Sequence, residues 1–190
     1  RPTGRILRDF YSATSAGDCE SALAFVKELR SKHLLSPLNL YALELQALEA
    51  GGRWEDILAD ETRLNNVITG GSSRNIPPII FKALRIMGLT SDVISRMTVE
   101  QVAREHQSRQ ILFSKIPDLT ESAIEYWETW SLGVVALGDS KLLDGLPETL
   151  KDNGWQSKLV SWREDQNPQI NESLAVTLDL ANVGASFTLP

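Results

Sequence analysis

Three glycines constrain this chain more than any other feature: Gly17, Gly52 and Gly88 fall 35 and 36 residues apart. Each lies between stretches whose apolar residues recur at three- and four-residue steps, the spacing of a helix with one buried face. Self-similarity at that period is the mark of stacked helical hairpins, because a single hairpin cannot bury its own apolar face. The copies agree in detail. Five and six residues after the glycines stand Ala22-Leu23, Ile57-Leu58 and Val93-Ile94, and four residues before them stand Ala13, Leu48 and Leu84. Gly138 opens a looser fourth copy, with Val134 before it and Leu142-Leu143 after it.

The clearest hairpin spans residues 36–59. Ser36 is placed to cap a helix whose first residue is Pro37, where a missing N–H costs nothing. Leu38, Tyr41, Leu45 and Leu48 give that helix one apolar stripe; Gly51-Gly52 stops it, and Trp54, Ile57 and Leu58 begin the return. Before it, Ile6, Leu7, Phe10 and Tyr11 predict a helix from Arg5 to Ala16, and Ala22, Leu23, Phe25, Val26 and Leu29 predict the next.

After it, the polar passage Asp60 to Asn75 reads as a loop, with Gly70-Gly71-Ser72-Ser73 as its flexible centre. Pro77-Pro78 opens a helix from Ile79 to Met87, and Thr90 to Met97 is its return partner. Thr98 with Gln101 forms a capping-box pattern for a helix running towards Lys115, and Asp118 with Glu121 repeats the signature before an aromatic helix carrying Trp127 and Trp130. Lys141 to Asp152 is interrupted by Pro147, a helix with Trp155, Leu159 and Trp162 follows Gly154, and a last one starts at Asn167-Pro168. No stretch sustains period-two alternation. The expected fold is all-α: stacked antiparallel helical hairpins over residues 1–117, continuing into a Trp-rich acidic helical segment over 118–190.

Charge and composition narrow the function. Residues 1–120 carry 15 Lys/Arg against 14 Asp/Glu, and residues 121–190 carry 4 against 11, so the formal charge of −6 resides in the last third. A net acidic chain has no general attraction for phosphate backbones, which disfavours nucleic acid as a partner. No apolar run reaches the roughly 18 residues that cross a bilayer, and the single cysteine, Cys19, excludes an internal disulfide, so the expected setting is intracellular and cytoplasmic. The first and last residues, Arg1 and Pro190, suggest a piece of a longer protein.

Chemistry-bearing clusters are scarce. His33 and His106 fall on different predicted helices without metal-ligand spacing, and His106 continues an apolar face as a structural histidine. The glycine-rich Gly70–Ser73 stretch lacks the Lys-Ser/Thr ending of a phosphate loop. Adjacent acids such as Glu55-Asp56 diverge by about a hundred degrees on a helix and share no face. No catalytic residue, metal or cofactor is expected.

With its glycine turns, Trp54 two residues after one of them and Ala22 five after another, the chain resembles the tetratricopeptide-like superfamily over residues 5–97. It departs from that pattern where Cys19 takes the aromatic position, where Phe10, Leu45 and Phe81 replace the small residue of the first helix, and where the closing proline arrives late as Pro37. The resemblance implies a short α-solenoid whose first helices line a concave side. Gln46, Glu49, Lys82 and Arg85 would then face a ligand, with Lys82 and Arg85 one turn apart and suited to a partner's carboxylates.

The expected function is accordingly a protein–protein interaction module, holding a peptide or a neighbouring domain. The competing readings are a helical accessory domain of an enzyme whose catalytic residues lie elsewhere, and a helical-repeat nucleic-acid binder using the scattered arginines. Trp127 and Trp130 are the alternative binding surface, should either ring be exposed.

Overall fold

The computed structural model describes residues 1–69 and 74–165, and every regular element among them is helical. The predicted stretches 70–73 and the last helix from Asn167 lie outside the described residues. In order, α1 is Thr3–Ser15, α2 Cys19–Ser31, α3 Pro37–Ala50, α4 Trp54–Ala59, α5 Glu61–Thr69, α6 Ile76–Ile86, α7 Val93–Arg96 and α8 Val99–His106. A 3-10 segment, Gln107–Phe113, follows. Then come α9, Ile124–Leu137, a second 3-10 segment, Ser140–Gly145, and the closing helices α10, Glu148–Asp152, and α11, Trp155–Glu164. No helix of the described residues is long and apolar enough to cross a membrane.

The periodic glycines do one thing three times. Gly17, Gly52 and Gly88 all take the left-handed conformation, at φ 72°, 66° and 115°. The N–H after each reaches back to the carbonyl four residues before the glycine: Asp18 to Ala13 at 2.9 Å, Arg53 to Leu48 at 2.9 Å, Leu89 to Leu84 at 3.0 Å. This is a Schellman closure, which satisfies the last helical carbonyls while reversing the chain. The small or apolar residues at those positions therefore hold the turn as well as packing the hairpin.

A fourth closure escapes the sequence pattern because it has no glycine. His33 takes φ 51°, and Leu34 N–H donates to Leu29 O at 3.2 Å at the end of α2. Gly138, expected to open a fourth copy, is instead extended, with φ −105° and ψ −168°. Its glycine answers a space requirement: an added Cβ would lie 2.6 Å from the Phe113 carbonyl oxygen.

Packing follows the chain. α1 lies against α2, α2 against α3, α3 and α4 against α6, and α6 against α9, which also receives α8, α11 and both 3-10 segments. Ala22, Leu48, Ile57, Leu84 and Val93, which recur at fixed distances from the glycine turns, are all buried. Two apolar clusters result. A smaller one gathers Ile6, Phe10, Ala22, Val26, Leu29, Leu40, Leu43 and Ala47; a larger one runs from Cys19 and Tyr41 through α6 and α9 to Trp162. The larger cluster crosses the expected 117/118 boundary without a break, since Phe113 sits where a Cβ on Gly133 would be 2.1 Å from its ring.

Several local expectations are corrected. The passage Asp60 to Asn75 contains α5, because Leu64, Val67 and Ile68 share one buried face and the Asp60 carboxylate accepts the Arg63 N–H at 3.0 Å. The Thr98–Gln101 capping box is formed, but its helix stops at His106; Arg109 leaves helical geometry inside the 3-10 segment that follows. α9 starts at Ile124, with neither Asp118 nor Glu121 capping it. Pro147 interrupts the 141–152 stretch as expected, preceding α10, and the part before it is 3-10 rather than α-helical.

His106 is buried, and the Arg109 guanidinium lies 3.3 Å from its Nδ1. Burial, with the nearby Arg109 charge, holds its pKa below the usual histidine value. The unfolded chain therefore binds the proton more readily. The contribution of the neutral ring is full above about pH 6.5 and is lost as pH falls towards the lowered native value. Thermal melts of the parent chain should lose stability below about pH 6.5 more steeply than those of His106→Gln. At the other histidine, His33→Gly should raise stability by about 0.5 kcal/mol, and His33→Val should lower it by about 1–2 kcal/mol, in urea titrations.

Candidate functional site

Lys82 and Arg85 do project from one face of α6, but each already has a partner within the chain. Lys82 Nζ lies 3.2 Å from Glu49 Oε1 on α3 and 5.3 Å from the centroid of the Trp54 ring on α4. Arg85 Nε lies 3.5 Å from Glu125 Oε2 on α9. The two cations tie α6 to three neighbouring helices, and the attraction expected for a partner's carboxylates is directed at Glu49 and Glu125. Gln46 sits half-buried on the same side of α3 as Glu49.

Trp127 and Trp130 are core residues. Trp130 is wholly buried, Trp127 is 4% exposed, and their rings meet edge to face at 5.5 Å. Their indole N–H groups donate to Thr120 O at 3.0 Å and Lys115 O at 3.1 Å. Trp155 donates to Ser131 Oγ and Trp162 to Met97 O. Burial of a tryptophan requires such an acceptor, and here the acceptors fasten the irregular connections onto α9 and α11. No ring of the four is free to anchor a partner.

A different constellation stands at the N-terminal end of α3. Glu44 receives two cations. Arg63 Nη1 and Nη2 donate to its two oxygens at 3.1 and 2.9 Å, and Arg30 donates at 2.9 Å. Burial alone would raise the Glu44 carboxyl, but the hydrogen bonds from Arg63 and Arg30 hold it below its ordinary value. The Arg63 guanidinium also stacks 4.0 Å from the Tyr41 ring centroid. One side chain on α5 is thereby fixed by a carboxylate and an aromatic face of α3.

Arg63 and Pro37 line two adjoining clefts. One, about 440 Å³, is bounded by Arg30, His33, Leu35, Pro37, Leu40 and Arg63; the other, about 230 Å³, by Pro37, Leu38, Tyr41, Arg63, Asn66 and Val67. Leu35, Pro37 and Leu40 give the larger cleft its apolar lining, Pro37, Leu38 and Val67 the smaller, and the Arg63 cation they share is held by Glu44 and Tyr41. The left-handed turn at His33 sets the ring on the rim of the larger cleft. Sequence reading missed this site because Arg63 fell in a passage read as loop. The available signal was Asp60 followed by Leu64, Val67 and Ile68, a cap and an apolar face in nine residues.

Cys19 is buried at the start of α2, against Gly51, where an added Cβ would come within 2.5 Å of its own Cβ. It is a packing residue between the first two hairpins. Among the described residues no group of three or more His, Cys, Asp or Glu side chains gathers as metal ligands would.

The Tyr41 hydroxyl is buried without a hydrogen-bond partner, and burial pushes its pKa up to about 12. An unpaired buried hydroxyl costs about 1–3 kcal/mol of desolvation, whereas the ring still packs under Arg63 without it. Tyr41→Phe should therefore leave the fold intact and raise its urea midpoint. An unchanged or lowered midpoint would mean that the hydroxyl has an acceptor.

Comparison with known proteins adds one relation. No curated protein and no solved structure matches the chain. A family model described as DpdD-like matches residues 1–188, nearly the whole length. The chain belongs to the DpdD-like family.

Proposed function

We propose that this chain is a protein–protein interaction module that holds an extended peptide segment of another protein, or of a neighbouring domain, and carries no catalysis of its own. The observation behind this reading is the pair of clefts at the N-terminal end of α3, each with an apolar part of its lining, that share the locked Arg63 guanidinium. An extended peptide places alternate side chains on one face, so two apolar side chains can enter the two clefts. The residue between them then passes over Arg63, whose remaining donor capacity suits a main-chain carbonyl. Because the guanidinium is held by Glu44 and Tyr41 before any partner arrives, little side-chain entropy is lost on binding.

Lys82 and Arg85 serve the hairpin stack in this reading, as ties between α3, α6 and α9. The test separates the two faces. Tagged chain is used to capture partners from extract with and without nuclease, in parallel with Leu38→Glu and with Lys82→Glu/Arg85→Glu, each checked for helical content by circular dichroism. A protein partner that is lost from Leu38→Glu and retained by the folded double variant is the expected result. Recovery of nucleic acid with no protein, or a protein partner indifferent to Leu38→Glu, overturns the proposal.

A further inference from the structure

The last third of the chain is strongly acidic, yet two of its four basic residues, Lys141 and Arg163, converge on one open cleft of about 750 Å³. Lys141 stands in the 3-10 segment after α9 and Arg163 in the last turn of α11; Ser140 and Arg163, 23 residues apart in sequence, are joined by a hydrogen bond from the guanidinium to the Ser140 hydroxyl oxygen. Gln110, Ser114, Leu137, Gly138 and Asp139 also line it.

Neither cation has an ion-pair partner among the described residues. Lys151, in the same acidic region, is by contrast held by Glu148 and the Asp144 carbonyl. The only carboxylate lining the cleft among the described residues, Asp139, accepts the Lys141 backbone N–H at 3.0 Å and is directed at the start of its own segment. The three charged groups sum to a formal +1.

A helix C-terminus also attracts cations, and α9 ends at this cleft. Its closing carbonyls, however, have neutral donors: Gln110 Nε2 donates to Leu137 O at 3.1 Å, and Gly138 N–H to Val134 O at 2.8 Å. Ser114 directs its hydroxyl hydrogen at the Ile111 carbonyl. Ser140 accepts from Arg163 and keeps its own hydrogen free. The unused donors are thus the Lys141 ammonium, the remaining Arg163 N–H groups and the Ser140 O–H.

We propose that this cleft binds a small phosphomonoester, whose terminal phosphoryl oxygens are taken by Lys141 Nζ, the Arg163 guanidinium and the Ser140 hydroxyl. A point charge, a planar fork and a hydroxyl approaching from different elements match a tetrahedral group with three terminal oxygens better than a flat carboxylate with two. The cleft is much larger than an inorganic phosphate, and the exposed side of Leu137 offers apolar surface to an organic remainder. The site lies on elements that the α3 clefts do not involve, so either proposal can fail alone.

The experiment is a titration of the isotope-labelled chain, followed through its backbone amides, with glycerol 3-phosphate, inorganic phosphate, glycerol and sodium chloride. The expected result is saturable shifts at Ser140, Lys141 and Arg163 with a dissociation constant on the order of 1 mM, tighter for the ester than for inorganic phosphate. Binding should strengthen between about pH 5.5 and 7.5, as the monoester loses its second proton near pH 6. Lys141→Ala/Arg163→Ala should weaken it at least about tenfold while leaving the melting curve unchanged, because both side chains are exposed. Ser140→Ala provides a second, smaller loss if the double variant folds poorly. Shifts that stay linear, that sodium chloride reproduces, or that the variants leave unchanged overturn the proposal. So does a short oligodeoxynucleotide that perturbs these amides when glycerol 3-phosphate does not.

Discussion

The arrangement of the first half depends on a bond between a backbone N–H and a carbonyl five residues earlier. It forms where a helix ends in a left-handed residue, and it occurs at Gly17, His33, Gly52 and Gly88. Each closure fixes the direction in which the chain leaves one helix, and so sets which face of the next can reach back onto it. The carbonyls come from Ala13, Leu29, Leu48 and Leu84, and the last three are buried in the clusters. Turn geometry and core packing act on the same residues. Beyond Leu89 the chain changes method: indole N–H groups fasten the irregular connection at Lys115 and Thr120 to α9, and α11 to Ser131 of α9 and to Met97.

The basic side chains of the described residues differ in whether a carboxylate answers them. Lys82 and Arg85 on α6 are matched by carboxylates on neighbouring helices. Arg63 is matched too, and has a cleft on each side. Lys141 and Arg163 have no ion-pair partner among the described residues. The acidic excess of the last third does not rule out a local positive site, since over a few ångströms individual charges outweigh a net count.

Local signals were the most readable part of the sequence. The Ser36 cap, the Thr98–Gln101 capping box and the three glycine turns each need only neighbours within a few residues, and each is formed as expected. The left-handed turn at His33 was hidden because its residue type does not advertise the conformation. α5 was hidden because Asn65-Asn66 and the following glycines outweighed a three-residue apolar face. At the site, the identity of Lys82 and Arg85 as helix-face cations was legible, but their partners were not. Glu49 is 33 residues from Lys82 and Glu125 lies three helices beyond Arg85, so only the assembled fold reveals that those charges are answered. The family match, DpdD-like, covers residues 1–188, well beyond the 5–97 stretch to which the helical-hairpin resemblance was confined.

α3 is apolar on two sides. Leu40, Leu43 and Ala47 belong to the smaller cluster, while Tyr41, Ala42, Leu45 and Leu48 belong to the larger one. Opposite faces of one helix therefore serve two clusters, which also meet at Leu23 of α2. A disturbance confined to α1 bares only the smaller cluster. Displacing α3 along its axis, by contrast, would shift the registers of both at once. A ligand that gripped the Pro37 end of this helix would thus hold a common strut, and amide exchange far away in α6 would slow along with exchange in α2.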